Sequence, residues 1–155
     1  MTALVKVLAA AAAIMAICSA VQADDGQEAY QRCVVCHLPD GAGIPGVFPV
    51  LKDRLAPIME TVEGREYATM VLAEGLIGKI TIDGQTYMGA MPAQGLSDAQ
   101  IAAVLNYIVA GFGESGASAS KSTLSEEEVA GIRSKYSGAN AKSALDLRTA
   151  VPALN

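Results

Sequence analysis

Five consecutive residues, Cys33-Val34-Val35-Cys36-His37, constrain the fold of this chain more than any other feature. The pattern is C-x-x-C-H, the spacing through which haem is attached covalently to a polypeptide. Residues three apart lie on one side of a helical turn, so both thiols can reach the two vinyl groups on adjacent pyrroles of one porphyrin. Thioether bonds then fix the macrocycle, and His37 follows at once, close enough for its imidazole to bind the iron axially. Other uses of the pair fit less well. A zinc site needs about four ligands, and beyond Cys18 and the motif the chain has no further cysteine or histidine. A thioredoxin-like pair usually sits near a βαβ pattern, and none surrounds residue 33. A structural disulfide would give His37 no role.

The first 23 residues have the character of a removable leader. Lys6 precedes an apolar run from Val7 to Ile17, and small residues lead to Ala23 before the polar Asp24-Asp25. That order predicts a secretory signal peptide over 1–23, cleaved after Ala23. The run ends by Val21, short of the roughly 18–20 residues a bilayer span requires, so no membrane span is expected in the mature chain. Cys18 leaves with the leader, and the export compartment implied is the periplasm. Loss of Lys6 takes the net charge from −5 to −6. A nucleic-acid binder would present a basic face to phosphates, and that class is excluded.

His37 is the only histidine, so the chain alone cannot bind iron through two imidazoles. The sixth ligand is left to methionine, lysine, the amino terminus, an exogenous molecule or nothing. After the leader the methionines are Met59, Met70, Met88 and Met91. Met70 falls in the helical pattern Tyr67, Met70, Val71, Glu74 and suits core packing, as does Met59 near a helix start.

The stretch Tyr87-Met88-Gly89-Ala90-Met91-Pro92-Ala93, followed by Leu96-Ser97-Asp98-Ala99-Gln100-Ile101, resembles the distal loop and last helix of class I bacterial cytochromes c. Gly41-Ala42-Gly43-Ile44-Pro45 resembles the loop that follows the histidine in that family. The resemblance covers about residues 24–113. It implies an all-α fold with helices wrapped around one covalent haem c, His37 and Met91 as the iron ligands, and electron transfer rather than catalysis. It further implies that the Pro45 carbonyl accepts a hydrogen bond from His37 Nδ1–H, which would make Nε2 the better donor to iron. Met88, three residues from Met91, is the rival ligand.

The coarse elements agree with such a fold. Gly26, Tyr30 and Val34 recur every four residues and predict a first helix over 25–37. A glycine there costs about 1 kcal/mol of helix stability and signals a close approach. In the family the first and last helices cross, which places Gly26 and Tyr30 against Val104 and Tyr107. A further helix is expected from Arg65 to Leu76, starting near Gly64. Ile80 to Tyr87 with an Asp83-Gly84 turn predicts a small hairpin before the distal loop. Ser97 with Gln100 forms a capping box for a helix whose apolar face is Ile101, Val104, Leu105 and Ile108. Phe48, Pro49 and Leu51 are expected to pack on the haem face.

Beyond the haem domain, 24–113, the composition turns to Ser, Ala and Gly over 114–123, a linker signature. The C-terminal extension, 124–155, contains a second capping pattern, Ser125 with Glu128, opening a helix to about Lys135. Its stripe of Leu124, Val129, Ile132 and Tyr136 is too short to be stable alone and must dock on its own domain or on a partner. The partner is favoured, and residues 137–155 read as irregular, with nothing that wraps a haem. Residues 24–113 carry five basic and eleven acidic groups, whereas 114–155 carry five of each. An acidic haem domain associates fastest with a positively charged redox partner. The function expected is a periplasmic one-electron carrier serving a dehydrogenase, oxidase or reductase, with the tail tilting toward a dedicated dehydrogenase subunit. A haem sensor or peroxidase-like enzyme would need an open distal site, and a thiol–disulfide oxidoreductase would need free thiols.

Overall fold

The computed structural model describes residues 25–112, 123–138 and 142–154. The leader and most of the linker lie outside the described residues. Two helical stretches replace the single helix expected over 25–37: α1 spans residues 25–30 and α2 spans Val34–His37. Between them the backbone tightens. Gln31, Arg32 and Cys33 each donate N–H to the carbonyl three residues back rather than four. The tighter pitch buries Cys33 while Cys36 stays half-exposed. Leu38, at φ +66°, ends α2.

Helix α3 covers Leu55–Met59 and α4 covers Val62–Glu74. The latter starts earlier than its apolar pattern suggests, because Thr61 caps it by accepting a hydrogen bond from the Gly64 N–H. It also stops earlier. Gly75 takes φ +85°, and Leu76 opens a strand instead of closing the helix. Strands β1 (Leu76–Ile82) and β2 (Gln85–Met91) pair antiparallel, with Ile80 opposite Tyr87 and Leu76 opposite Met91. Asp83 and Gly84 both have positive φ, 50° and 77°, as the tight hairpin turn needs. The hairpin expected at Ile80–Tyr87 is present and reaches Leu76 and Met91. Its outer half is hidden in sequence by Gly78 and Gly89 and by exposed Ile77 and Met88.

Helix α5, Asp98–Val109, begins with the expected Ser97–Gln100 capping box and buries Ile101, Val104, Leu105 and Ile108. It crosses α1 at Gly26. A Cβ there would lie 2.5 Å from the Ala103 carbonyl oxygen and 2.7 Å from Tyr107 Cβ, so no larger residue fits. The contact is thus with Ala103 and Tyr107, while Val104 turns fully into the core. Tyr30 packs against Tyr107 and Phe112 at ring-centroid distances of 5.8 and 5.0 Å. Its hydroxyl donates to the Leu38 carbonyl at 2.8 Å, so the same ring that seals the crossing also holds the end of α2.

The extension lies on its own domain. Helix α6, Glu126–Lys135, packs on α5 and α4. Leu124, Val129, Ile132 and Tyr136 join the same apolar core as α5. The Asn106 side chain brackets the Leu124 backbone with two 2.9 Å hydrogen bonds. Ser125 caps α6 as expected, but the Glu128 side chain bonds Arg65 at 2.6 Å. The stretch expected to be irregular holds α7, Ala144–Arg148, with its own Ser143–Asp146 capping box, and a 3-10 turn at Pro152–Leu154. A five-residue helix is too short to register as a periodicity. Helix α7 packs on α4 and β1, with Ala144 and Leu147 buried in the main core and Leu145 against Ile80, Ile82 and Tyr87 of the hairpin.

Buried Ile132 should therefore behave as a core residue of the haem domain. Ile132→Ala is expected to cost about 3 kcal/mol, roughly 10 °C of melting temperature, with the visible spectrum unchanged. Glu66 provides a second test. Burial alone would raise its pKa, but hydrogen bonds from Lys135 at 2.5 Å and from the Tyr136 hydroxyl hold it below the usual carboxylate range. A depressed folded pKa adds stability that is present above the unfolded value, about 4.3, and fades as pH falls through the folded one. Glu66→Gln should melt lower at pH 7 and lose less on acidification than the parent, as measured by melts from pH 7 to 3.

Candidate haem and iron site

The tight turn into α2 sets the first half of the site. Cys33 is its N-cap, Cys36 lies one helical turn on, and no disulfide joins them. Burial, then the neighbouring Cys36, raises the Cys33 thiol pKa against the opposing pull of Arg32. His37 ends the helix and is buried. Burial lowers its pKa, with a partial offset from its backbone hydrogen bond, which favours the neutral ring that binds metals.

That hydrogen bond runs to Pro49, whose carbonyl lies 2.8 Å from Nδ1. A carbonyl can only accept, so Nδ1 carries the proton and Nε2 keeps its lone pair. The role implied for Pro45 belongs instead to Pro49. Ile44 and Phe48 exchange N–H···O bonds at 2.8 Å in both directions, closing a small loop with Pro45 exposed at its turn. The chain returns beneath His37 just after Phe48. Gly43 N–H also bonds the His37 carbonyl at 3.0 Å, tying the loop to α2.

The hairpin supplies the second half. Met88 and Met91 both lie on β2, three residues apart, and in a strand an odd spacing puts them on opposite faces. Tyr87, on the parity of Met91, is buried, whereas Met88 is 76% exposed. Met91 is half-buried and packs on the main core. Behind it Gly75 is in close contact, since a Cβ there would lie 2.5 Å from the Met91 carbonyl oxygen. The Gln94 N–H bonds the Leu72 carbonyl at 3.0 Å, and Arg32 reaches the Gln94 carbonyl at 3.2 Å. Met59 and Met70 are core residues, 0% and 2% exposed, as their sequence patterns suggest.

Between these halves runs a cleft with two connected parts. The outer part, about 360 Å³, is lined by Cys33, Cys36, His37, Phe48, Pro49, Met88 and Met91, among others. The deep part, about 120 Å³, shares Cys33, His37, Pro49 and Met91 and is walled by Leu51, Leu55, Val71, Leu105 and Ile108. No acidic residue lines either part. Among the described residues no three His, Cys, Asp or Glu side chains converge to hold a bare ion. Paired thiols, one neutral imidazole and one thioether around apolar walls instead fit a metal brought in by a macrocycle. Phe48, Pro49 and Leu51 line the cleft as expected. Tyr67, Arg148 and Leu154 also line it. Sequence reasoning missed them: Tyr67 lay within a helical pattern, and the other two belong to the extension.

The fold and cleft define a protein built around one covalently attached haem. Comparison with known proteins agrees: the Cytochrome c family model matches residues 23–111. The chain is 40% identical over 112 residues to cytochrome c-552 of Thermus thermophilus, covering 72% of this chain and 86% of that protein. It has the same identity to a second cytochrome c-552, from a named strain of the same species, covering 76% of that protein. The chain belongs to the cytochrome c family, with haem c as its cofactor and electron carriage as its role.

Covalency at Cys33 and Cys36 has a direct readout. The denatured holoprotein should keep its haem through acid extraction, and the Cys33→Ala/Cys36→Ala double variant should release it, both read by mass spectrometry. A disulfide mass in the parent would contradict the assignment.

Proposed function

We propose that this chain is exported to the periplasm after cleavage at Ala23 and carries single electrons between redox partner proteins there. Cys33 and Cys36 would hold the haem, and His37 and Met91 would be the two protein ligands of its iron. Bound haem supplies an iron that takes up and releases one electron. The placement of half-buried Met91 on the Tyr87 side of β2, lining the cleft with His37, is the observation that carries this reading. With both positions filled by protein donors, no coordination site remains for oxygen, peroxide or a signalling gas. That argues against a sensor or peroxidase-like enzyme.

The chain's own residues serve that role in distinct ways. Pro49 fixes the ring orientation of His37 and the tautomer that leaves Nε2 as donor. Gly75 and the Leu72–Gln94 hydrogen bond hold the backbone from Met91 to Gln94. Leu51, Leu55, Val71, Leu105 and Ile108 exclude water from the deep cleft. Cys36 is half-exposed, and Val47 and Met88, 58% and 76% exposed, line the outer opening. An electron enters or leaves at this edge, against partners whose positive charge complements the acidic domain. The partner classes are a periplasmic dehydrogenase and an oxidase or reductase. The extension, read in sequence as a docking tail, packs on its own domain, which supports a shuttle over a fixed dehydrogenase subunit. Among the described residues no helix is long and apolar enough to cross a membrane.

Met91→Ala should lose the weak near-infrared charge-transfer band of methionine-ligated ferric haem. It should also lower the midpoint potential and let carbon monoxide bind the ferrous protein. Met88→Ala should leave all three unchanged. The reverse pattern would move the ligand to Met88, and carbon monoxide binding by the parent would argue for an open-site haem protein.

A further inference from the structure

The lining of the deep cleft is apolar but for His37 and for Tyr67, Arg54 and Arg148. The two arginines lie toward the β1–β2 turn, where Arg54 meets Asp83 and Arg148 the Thr81 carbonyl. The two cations differ in their surroundings. Arg54 is paired with Asp83 at 2.5 Å. Arg148 donates from Nη2 to the Thr81 carbonyl at 2.8 Å and hydrogen-bonds Tyr67, but its Nε is buried without a partner. Among the described residues Arg148 meets no carboxylate. Its backbone is firmly placed, since Leu147 and Val151 on either side are buried, Val151 completely. A fixed guanidinium with a buried, unsatisfied N–H at the end of an apolar cavity calls for an anion.

Haem brings one. Its vinyl groups and its two propionates hang from opposite halves of the macrocycle. Cys36 lines only the outer part of the cleft, and Arg54, Tyr67 and Arg148 line only the deep part. A macrocycle joined at Cys33 and Cys36 therefore directs its propionates to the arginine end. We propose that Arg148 is a positioning residue of the haem site, its Nε–H donating to one propionate with Tyr67 beside it. The C-terminal extension is then a working wall of the pocket. The proposal rests on the haem reading of the cleft. A charge-assisted bond of this kind is short and directional, so it fixes the macrocycle edge and sets the field at the iron. Without the cation an uncompensated carboxylate near the iron favours the ferric state.

The test uses full-length holoprotein carrying Arg148→Gln, Arg148→Lys or, as a packing control, Leu147→Ala. Midpoint potential and thermal melt are measured for each, and the mass of the denatured protein reports covalent haem. Arg148→Gln should raise the ferric-to-ferrous ratio at fixed applied potential about tenfold, which is 59 mV for one electron. Arg148→Lys should recover most of that shift. Leu147→Ala should melt lower with its potential unchanged. A potential for Arg148→Gln within about twofold of the parent ratio would overturn the proposal. So would a shift of equal size in Leu147→Ala, which would trace the effect to loosened packing. Loss of covalent haem from the parent would instead defeat the haem reading itself.

Discussion

The apolar cleft between α2 and the end of β2 is the constraint around which the rest of the fold is arranged. Its walls come from α3, α4, α5 and the loop after α2, with Arg148 at one end supplied by the extension. The chain has only two phenylalanines, five tyrosines and no tryptophan, so large side chains cannot fill that space. A porphyrin covering the walls removes the same apolar area from water that a conventional core would. Attachment at Cys33 and Cys36, one helical turn apart, would place the filler where the walls converge. The group that performs the redox chemistry thus also completes the core.

Two devices keep the walls in register. One is the crossing of α1 and α5 at Gly26, locked by the cluster of Tyr30, Tyr107 and Phe112. The Tyr30 hydroxyl carries that lock to Leu38, the residue after His37. The other is the hairpin. Its register puts Leu76 opposite Met91, and Gly75 packs against the Met91–Pro92–Ala93 backbone. Met91 is therefore held by strand pairing rather than by a free loop. The extension reinforces both, through Asn106 on α5, through Arg65–Glu128 and Lys135–Glu66 on α4, and through Arg148 on β1.

Much of the site was legible because covalent and coordination chemistry dictate local spacing. Cys33, Cys36 and His37 need no tertiary information to be read together. The same is true of the Ser97–Gln100 box, whose two hydrogen bonds form within one turn. Pro45 failed for the converse reason. The partner of His37 is chosen by the Ile44–Phe48 bridge, which is made of backbone atoms and leaves no side-chain signature. Strand parity separates Met91 from Met88, but Gly78 and Gly89 interrupt the alternation that would have exposed it. Helix α7 is too short for a period, and the reach of Arg148 to Thr81 spans parts of the chain far apart in sequence. The stripe on α6 was visible, and only its docking surface required the structure.

The central claim is that the iron is closed on its distal side by Met91. Methionine methyl resonances of the ferrous, diamagnetic holoprotein test it most directly, because a methyl held over the porphyrin face is shifted far upfield by the ring current. With methyl-labelled methionine and assignment by single substitution, the account predicts one such resonance, absent from Met91→Ala and present in Met88→Ala. A spectrum with no upfield methyl, or one whose shifted signal disappears in Met88→Ala, would contradict it.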